Sequence, residues 1–257
     1  MSELNGRIAL VTGGSRGIGR CISEVLAAAG ATVAVNYVRD AEAADTTVAT
    51  ITAAGGSAKA YQASVEHADE CASLVERVVA DFGAIDILVC NAGIASRGRF
   101  VADTDPEEVA RVVATHAFGP HYLAKAALPS MRTRERGDIV MISSMATTGM
   151  SAGGAPYNMG KAAMEALAMT LAKEERKHGI HVNVVAPGIV ETDMGVRLAR
   201  ALTGNKEMQD LRSLDAVSPF GRACQPLDVA TVVLFLCSAA AGYVTGQRIE
   251  VDGGARA

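Results

Sequence analysis

Tyr157 and Lys161 stand four places apart in the stretch PYNMGK, just behind Pro156 and at the head of an alanine-rich run. Four residues is slightly more than one helical turn, so the phenol and the ammonium would share one helix face. Such a pair is either an ordinary surface contact or a device in which the lysine tunes the tyrosine for proton transfer. A second group of residues bears on the choice. Thr12-Gly13-Gly14-Ser15-Arg16-Gly17-Ile18-Gly19 follows the apolar run IALV and leads into a helical stretch. Glycines there allow a tight turn and let a phosphate approach backbone N–H groups at a positive helix end. Gly13, Ser15, Arg16, Gly17, Ile18 and Gly19 are thus the expected cradle of a dinucleotide. Gly13, Ser15 and Gly17 also satisfy Gly-x-Ser-x-Gly, a hydrolase nucleophile pattern. A hydrolase elbow needs strands before it and an acid and a histidine after it, whereas this loop ends the first strand.

The acidic residue that would hold a ribose 2′-hydroxyl is missing at the end of the second strand, AVNYVRD, where Asn36 stands instead. Arg16 and Arg39 are placed to reach a 2′-phosphate, which suits guanidinium geometry. The expected cofactor is therefore NADP(H), with NAD(H) as the alternative. Two solvated surface arginines are the bland reading, and Asp40 beside Arg39 tempers the charge.

Short apolar runs alternate with longer helical stretches from end to end. The runs RIALV, ATVAVNY, AKAYQAS, IDILVC, GDIVMISS, IHVNVVAPG and QRIEV read as strands. A long helix is expected from about Pro106 to Arg134. Most of the strands are apolar on both faces, as in a parallel sheet covered by helices on both sides. Alternating βαβ units imply an α/β, Rossmann-type, doubly wound parallel sheet of about seven strands. No linker, repeat or low-complexity tract interrupts residues 1–257, so one domain is expected.

The 257 residues carry a net charge of -4, which argues against a general nucleic-acid or membrane-surface binder. Five dispersed cysteines without a Cys-x-x-Cys pair fit a reducing compartment and small core roles. The five histidines lack metal-ligand spacing, so no protein-held metal is expected. The N-terminus lacks a signal-peptide pattern, and the apolar stretch 228–244 is short and carries Asp, Thr and Ser, so it reads as a buried helix. The expected location is the cytoplasm.

With TGGSRGIG, CNAG, ISS, YNMGK, NVVAPGIVETDM and YVTGQRIEVDGG in this order and spacing, the chain resembles the short-chain dehydrogenase/reductase family over about Gly6 to Gly254. Its look is nearest to 3-oxoacyl-acyl-carrier-protein reductases. The resemblance implies that Tyr157 is the general acid for a carbonyl oxygen, or the base in reverse. Unperturbed tyrosine titrates near ~10, so Lys161 and an oxidised nicotinamide would be needed to lower it. Lys161 would also hold the nicotinamide ribose, and Ser144 would orient the substrate oxygen. Ser143 should point to the other side of its strand. Asn91, Ala92 and Gly93 would line the adenosine ribose, with Ser64 and Val65 flanking adenine. Ser64 replaces the aspartate of many relatives. Pro187, Gly188, Ile189 and Thr192 would cradle the carboxamide.

The family's active-site asparagine, from a Thr-Asn pair, is replaced here by His116 after Thr115. In relatives that asparagine fixes a local helix distortion whose carbonyl holds a relay water. His116 is expected to preserve the distortion, to join the relay itself, or merely to pack. The implied activity is NADPH-dependent reduction of a 3-oxoacyl thioester or similar small ketone. A dehydrogenase of a sugar, diol or other secondary alcohol is the alternative, and a nucleotide-sensing protein without turnover is the non-enzyme reading. Met194, Val196, Leu198, Leu202 and Met208 are expected to form a lid wall or a core excursion. Arg132, Arg134 and Arg136, with Arg176, Lys177 and His178, would receive an acidic acyl-carrier protein. The family also implies a homotetramer, closed and symmetric.

Overall fold

The computed structural model describes residues 3–255. Its elements run β1 (Ile8–Val11), α1 (Gly17–Ala28), β2 (Thr32–Tyr37), α2 (Ala41–Ala53), β3 (Ser57–Gln62), α3 (Ala68–Phe82) and β4 (Ile87–Cys90). Then come α4 (Pro106–Val113), α5 (Gly119–Met131), β5 (Gly137–Ile142), α6 (Ala146–Gly149), α7 (Ala155–Glu175) and β6 (Ile180–Pro187). The chain closes with α8 (Asp193–Thr203), α9 (Pro226–Cys237) and β7 (Arg248–Val251).

All seven strands are parallel, in the order β3-β2-β1-β4-β5-β6-β7. After β3 the chain crosses back to pair β4 with the free side of β1, with Val11 beside Val89. That reversal opens a crevice beyond the strand ends, where ligands of doubly wound sheets bind. Strand alternation sorts the core into two layers. Leu10, Leu88, Ile139, Met141 and Val184 pack toward α3, α5 and α7, while Val11, Val35, Val89, Val140 and Val185 pack toward α1 and α9. Fully burying each large aliphatic side chain stabilises the fold by about 1.5–3 kcal/mol, which holds the strand ends in place beneath the site.

The long helix expected from Pro106 to Arg134 is interrupted. A π turn, Ala114–Phe118, separates α4 from α5, and the helix ends at Met131. One widened turn leaves the apolar spacing on either side intact, so periodicity did not show it. The segment expected as a lid divides by function. Val196 and Met208 are buried with Ala199, Leu211 and Ala223 in a small core of their own, whereas Leu198 and Leu202 are exposed and Met194 is half-buried. Among the described residues no helix is long and apolar enough to cross a membrane, and no group of three His, Cys, Asp or Glu side chains is placed to hold a metal.

Candidate active site

The glycine loop bridges β1 and α1 at the switch point. A Cβ on Gly19 would lie 2.2 Å from the Gly13 carbonyl oxygen, so only glycine lets the loop close on the helix start. Thr12 stitches the loop to β4: its hydroxyl donates to the Val89 carbonyl at 3.1 Å and accepts from the Asn91 and Ala92 amides, each at 3.0 Å. The Asn91 amide donates to the Thr12 carbonyl at 2.8 Å and lies against Gly13 and Gly19. Asn91 and Ala92 therefore border the loop, and Gly93 abuts His116. Ser15 is only 6% exposed, which leaves no accessible nucleophile for the hydrolase pattern.

Asn36, expected beside the ribose, is turned inward instead. Its side chain is fully buried, accepting from the Gly13 amide at 3.3 Å and donating to the Ala63 carbonyl at 3.0 Å. It braces the loop against the end of β3, because a buried amide must spend its donors and acceptor on nearby backbone. Arg16 and Arg39 are exposed, and Asp40 caps α2 by accepting from the Ala43 amide. Ser64 is held by its amide, which donates to Glu70 at 2.7 Å, and Val65 is buried against Gly119.

Ser144 follows β5, and Tyr157 and Lys161 lie in the first two turns of α7, which Pro156 starts without losing a helical hydrogen bond. Ser144 faces the Tyr157 hydroxyl and favours its ionised form. Ser143 does not: its hydroxyl donates to Glu165 at 2.5 Å. Burial raises the Tyr157 pKa, and Ser144 offsets part of the rise. The lysine's expected lowering of that pKa is absent from this geometry. Lys161 sits 5.9 Å over the Tyr157 ring centroid and donates to the Ile142 carbonyl at 2.6 Å. Burial takes the Lys161 ammonium down to about 7, because one carbonyl replaces only part of its hydration. The phenol is accordingly protonated at neutral pH, as a general acid must be.

His116 sits inside the π turn, fully buried. Its Nε2–H donates to the Ile94 carbonyl at 2.8 Å, which leaves Nδ1 as a bare acceptor without a partner. The ring stands edge-on to Tyr157 with centroids 5.0 Å apart. Two glycines make room for it, since a Cβ on Gly93 would meet Cε1 at 2.7 Å and one on Gly160 would meet Cβ at 2.8 Å. Burial, then Lys161, hold its pKa near about 3, so the ring is neutral across the working range. Thr115, its neighbour, donates to Glu66 at 2.9 Å and ties the turn to the loop beyond Ser64 and Val65.

On the far side, Pro187 ends β6 and Gly188 abuts Asp252. Ile189 is exposed, and Thr192 caps α8 by accepting from the Gly195 amide at 3.1 Å. The Thr192 methyl lies 3.3 Å from where a Gly17 Cβ would stand, so the β6 loop and the glycine loop face each other. A crevice floored by glycine and the amides at the start of α1, and walled by Asn91 and Thr192, fits an extended dinucleotide. Sequence reasoning missed Thr12, Glu66 and Glu165, whose partners are distant in the chain.

A doubly wound sheet with this loop and this Ser–Tyr–Lys set defines a nucleotide-dependent oxidoreductase. A family described as enoyl-(acyl carrier protein) reductase matches residues 13–256. The chain is 41% identical over 256 residues to an uncharacterised oxidoreductase of Methylorubrum extorquens, with 100% of both covered. It is 38% identical over 255 residues to the 3-oxoacyl-[acyl-carrier-protein] reductase of Synechocystis, covering 99% of this chain and 98% of that one. A short chain dehydrogenase from Burkholderia cenocepacia, crystallised in complex with NADP, has a TM-score of 0.89 at 35% identity, covering 99% of this chain and 100% of the other. The chain belongs to the short-chain dehydrogenase/reductase family. It is an NAD(P)-dependent enzyme.

A neutral, packed His116 ring makes a specific expectation. His116→Asn should keep turnover within about tenfold, roughly 1.4 kcal/mol of barrier, with the pH–rate profile unchanged in shape. Loss of a near-neutral limb in the folded variant would show that the imidazole itself carries protons.

Proposed function

We propose that the enzyme uses NADPH to reduce the carbonyl of a 3-oxoacyl thioester or a similar small ketone to a secondary alcohol. The observation that carries this reading is the half-buried, protonated Tyr157 facing Ser144 and overlain by Lys161. The dinucleotide would lie on Gly13–Gly19 and between Asn91 and Thr192, and it supplies the hydride. Tyr157 Oη donates its proton to the substrate oxygen, Ser144 orients that oxygen, and Lys161 holds the ribose. Turnover of free and carrier-linked 3-oxoacyl thioesters against a panel of ketones, with both cofactors, tests the reading. No NADPH oxidation with any ketone would refute it and favour oxidation of a secondary alcohol.

Support for NADP(H) comes from the exposed Arg16 and Arg39, from Asp40 being committed to a helix cap, and from the NADP-bound relative. A lost charge-assisted hydrogen bond costs on the order of 1.5–3 kcal/mol. Arg39→Ala is thus expected to weaken NADPH binding about tenfold or more while sparing NADH, measured by fluorescence titration. A wild-type preference for NADH would overturn the assignment.

The carrier-protein part of the reading narrows. Arg132 pairs with Glu175 at 2.5 Å, Arg134 with Asp86 at 2.7 Å and Arg136 with Asp138 at 2.9 Å. All three carboxylates are buried. Freeing Arg132 or Arg134 for a partner would strand a buried charge at about 3–5 kcal/mol, against ~0–1 kcal/mol returned by an exposed contact, while Asp138 holds Arg136 together with Arg7. Any acidic carrier would therefore use Arg176 and Lys177, which are exposed, with half-buried His178 beside them. A homotetramer is the proposed assembly. Exposed Leu227, Phe235 and Tyr243 on and after α9, and an open apolar groove of about 430 Å³ including Val101, Val109, Ala155 and Met159, support it. A monomeric mass by light scattering at micromolar concentration would exclude it. The setting proposed for the reaction is the cytoplasm.

A further inference from the structure

We propose that Glu165 and Arg248 are positioning residues for catalysis: together they clamp the loop that carries Ser144 onto the helix that carries Tyr157 and Lys161. Glu165 lies on α7 one turn beyond Lys161 and two turns beyond Tyr157. A single oxygen, Oε1, accepts from the Ser143 hydroxyl at 2.5 Å, the Thr147 hydroxyl at 2.8 Å and Arg248 Nε at 3.1 Å. Arg248 comes from β7, and its Nη2 donates to the Thr147 and Thr148 hydroxyls, each at 3.0 Å, and to the Ser144 carbonyl at 3.4 Å. Its Nη1 pairs with Glu250. The planar fork thus spans Ser144 and the short helix α6 through Thr147 and Thr148, while Glu165 anchors the network.

This arrangement matters because Ser144 has little else to aim it. Its hydroxyl accepts from the Ala146 amide at 3.1 Å, at the start of α6, so its direction follows the placement of that short helix. Glu165 and Arg248 side chains are 18% and 21% exposed, so solvent screens the pair far less than a surface pair. The charged, multidentate bonds hold the loop in one arrangement, and a general acid pathway loses rate steeply when the oxygen it serves is misplaced.

The test is a cycle between Arg248→Leu and Ser144→Ala, using whichever substrate the wild type turns over. The proposal rests on the reductase reading, which wild-type turnover checks separately. Arg248→Leu is expected to lower kcat about tenfold with KM and NADPH affinity little changed, because Ser144 acts on charge that develops during reaction. In the Ser144→Ala background the same substitution should cost less than twofold, since there is no longer a hydroxyl to aim. Equal losses in both backgrounds, or a fall in melting temperature with kcat intact, would overturn the proposal. Arg248→Lys keeps the charge but not the fork and should recover only part of the rate. Should Arg248→Leu fail to fold, the isosteric Glu165→Gln carries the same comparison. Arg248 is the cleaner arm, because Glu165 also supports the Lys161 charge.

Discussion

Tyr157→Phe is expected to lower kcat by about 10²–10⁴-fold while leaving NADPH affinity within about twofold, because it deletes only the transferable proton. The ring would keep its edge-on packing with His116, and the cleft its shape, so the loss reads out chemistry rather than folding. Burial favours the neutral phenol, and only Ser144 opposes it. The wild type should therefore hold its proton through neutral pH and reduce ketones there without a limb belonging to Tyr157. Steady-state kinetics with NADPH titration checks both halves. Near-normal turnover in the variant would sink the assignment of the acid.

Lys161→Met is expected to reduce kcat by about 10²-fold or more and to weaken cofactor binding as well, since one ammonium serves both. Methionine fills most of the space, so cavity formation is not the main cost. The same variant carries a stability signature. Buried Lys161 titrates at about 7 in the folded chain, far below the ~10.4 of an unfolded lysine. Between those values the unfolded state binds more protons, so this group makes wild-type stability rise with pH across that window and fully penalises it below about 7. The methionine variant lacks that slope. Its stability advantage over wild type should shrink as pH rises from about 7 toward about 10, measured by urea unfolding. An unchanging difference would show that Lys161 stays charged, or neutral, throughout.

The parts of this protein legible in its sequence are those whose geometry is local. Tyr157 and Lys161 are one helical turn apart, so their spacing alone put them on one face. The glycine loop is eight consecutive residues running from the end of a strand into the first turn of a helix, and the strand runs carry their two-sided burial in their own composition. The order of these pieces was enough for the doubly wound sheet, because right-handed crossovers leave few ways to connect them. Ser144 was legible only through the family resemblance, since the segment between it and Tyr157, which holds α6 and irregular chain, has no fixed length in space.

What the tertiary structure decided are the partners that the sheet brings together. Arg132, Arg134 and Arg136 read as a basic docking run, and only the packed fold sets each against a buried carboxylate 2 to 48 positions away. Asn36 read as a ribose neighbour, yet the pairing of β2 with β3 turns its amide onto the Ala63 and Gly13 backbone. His116 stood out as an unusual residue. Its neutral state comes from burial and Lys161, against the pull of the Ile94 hydrogen bond, and its space from Gly93 and Gly160. Glu165 and Arg248 are 83 residues apart, and nothing along the chain marks them as a pair. Periodicity states which face of an element is buried. Desolvation and hydrogen bonding at the site depend on which other element lies against that face, and that is set only when β5, β6 and β7 close side by side.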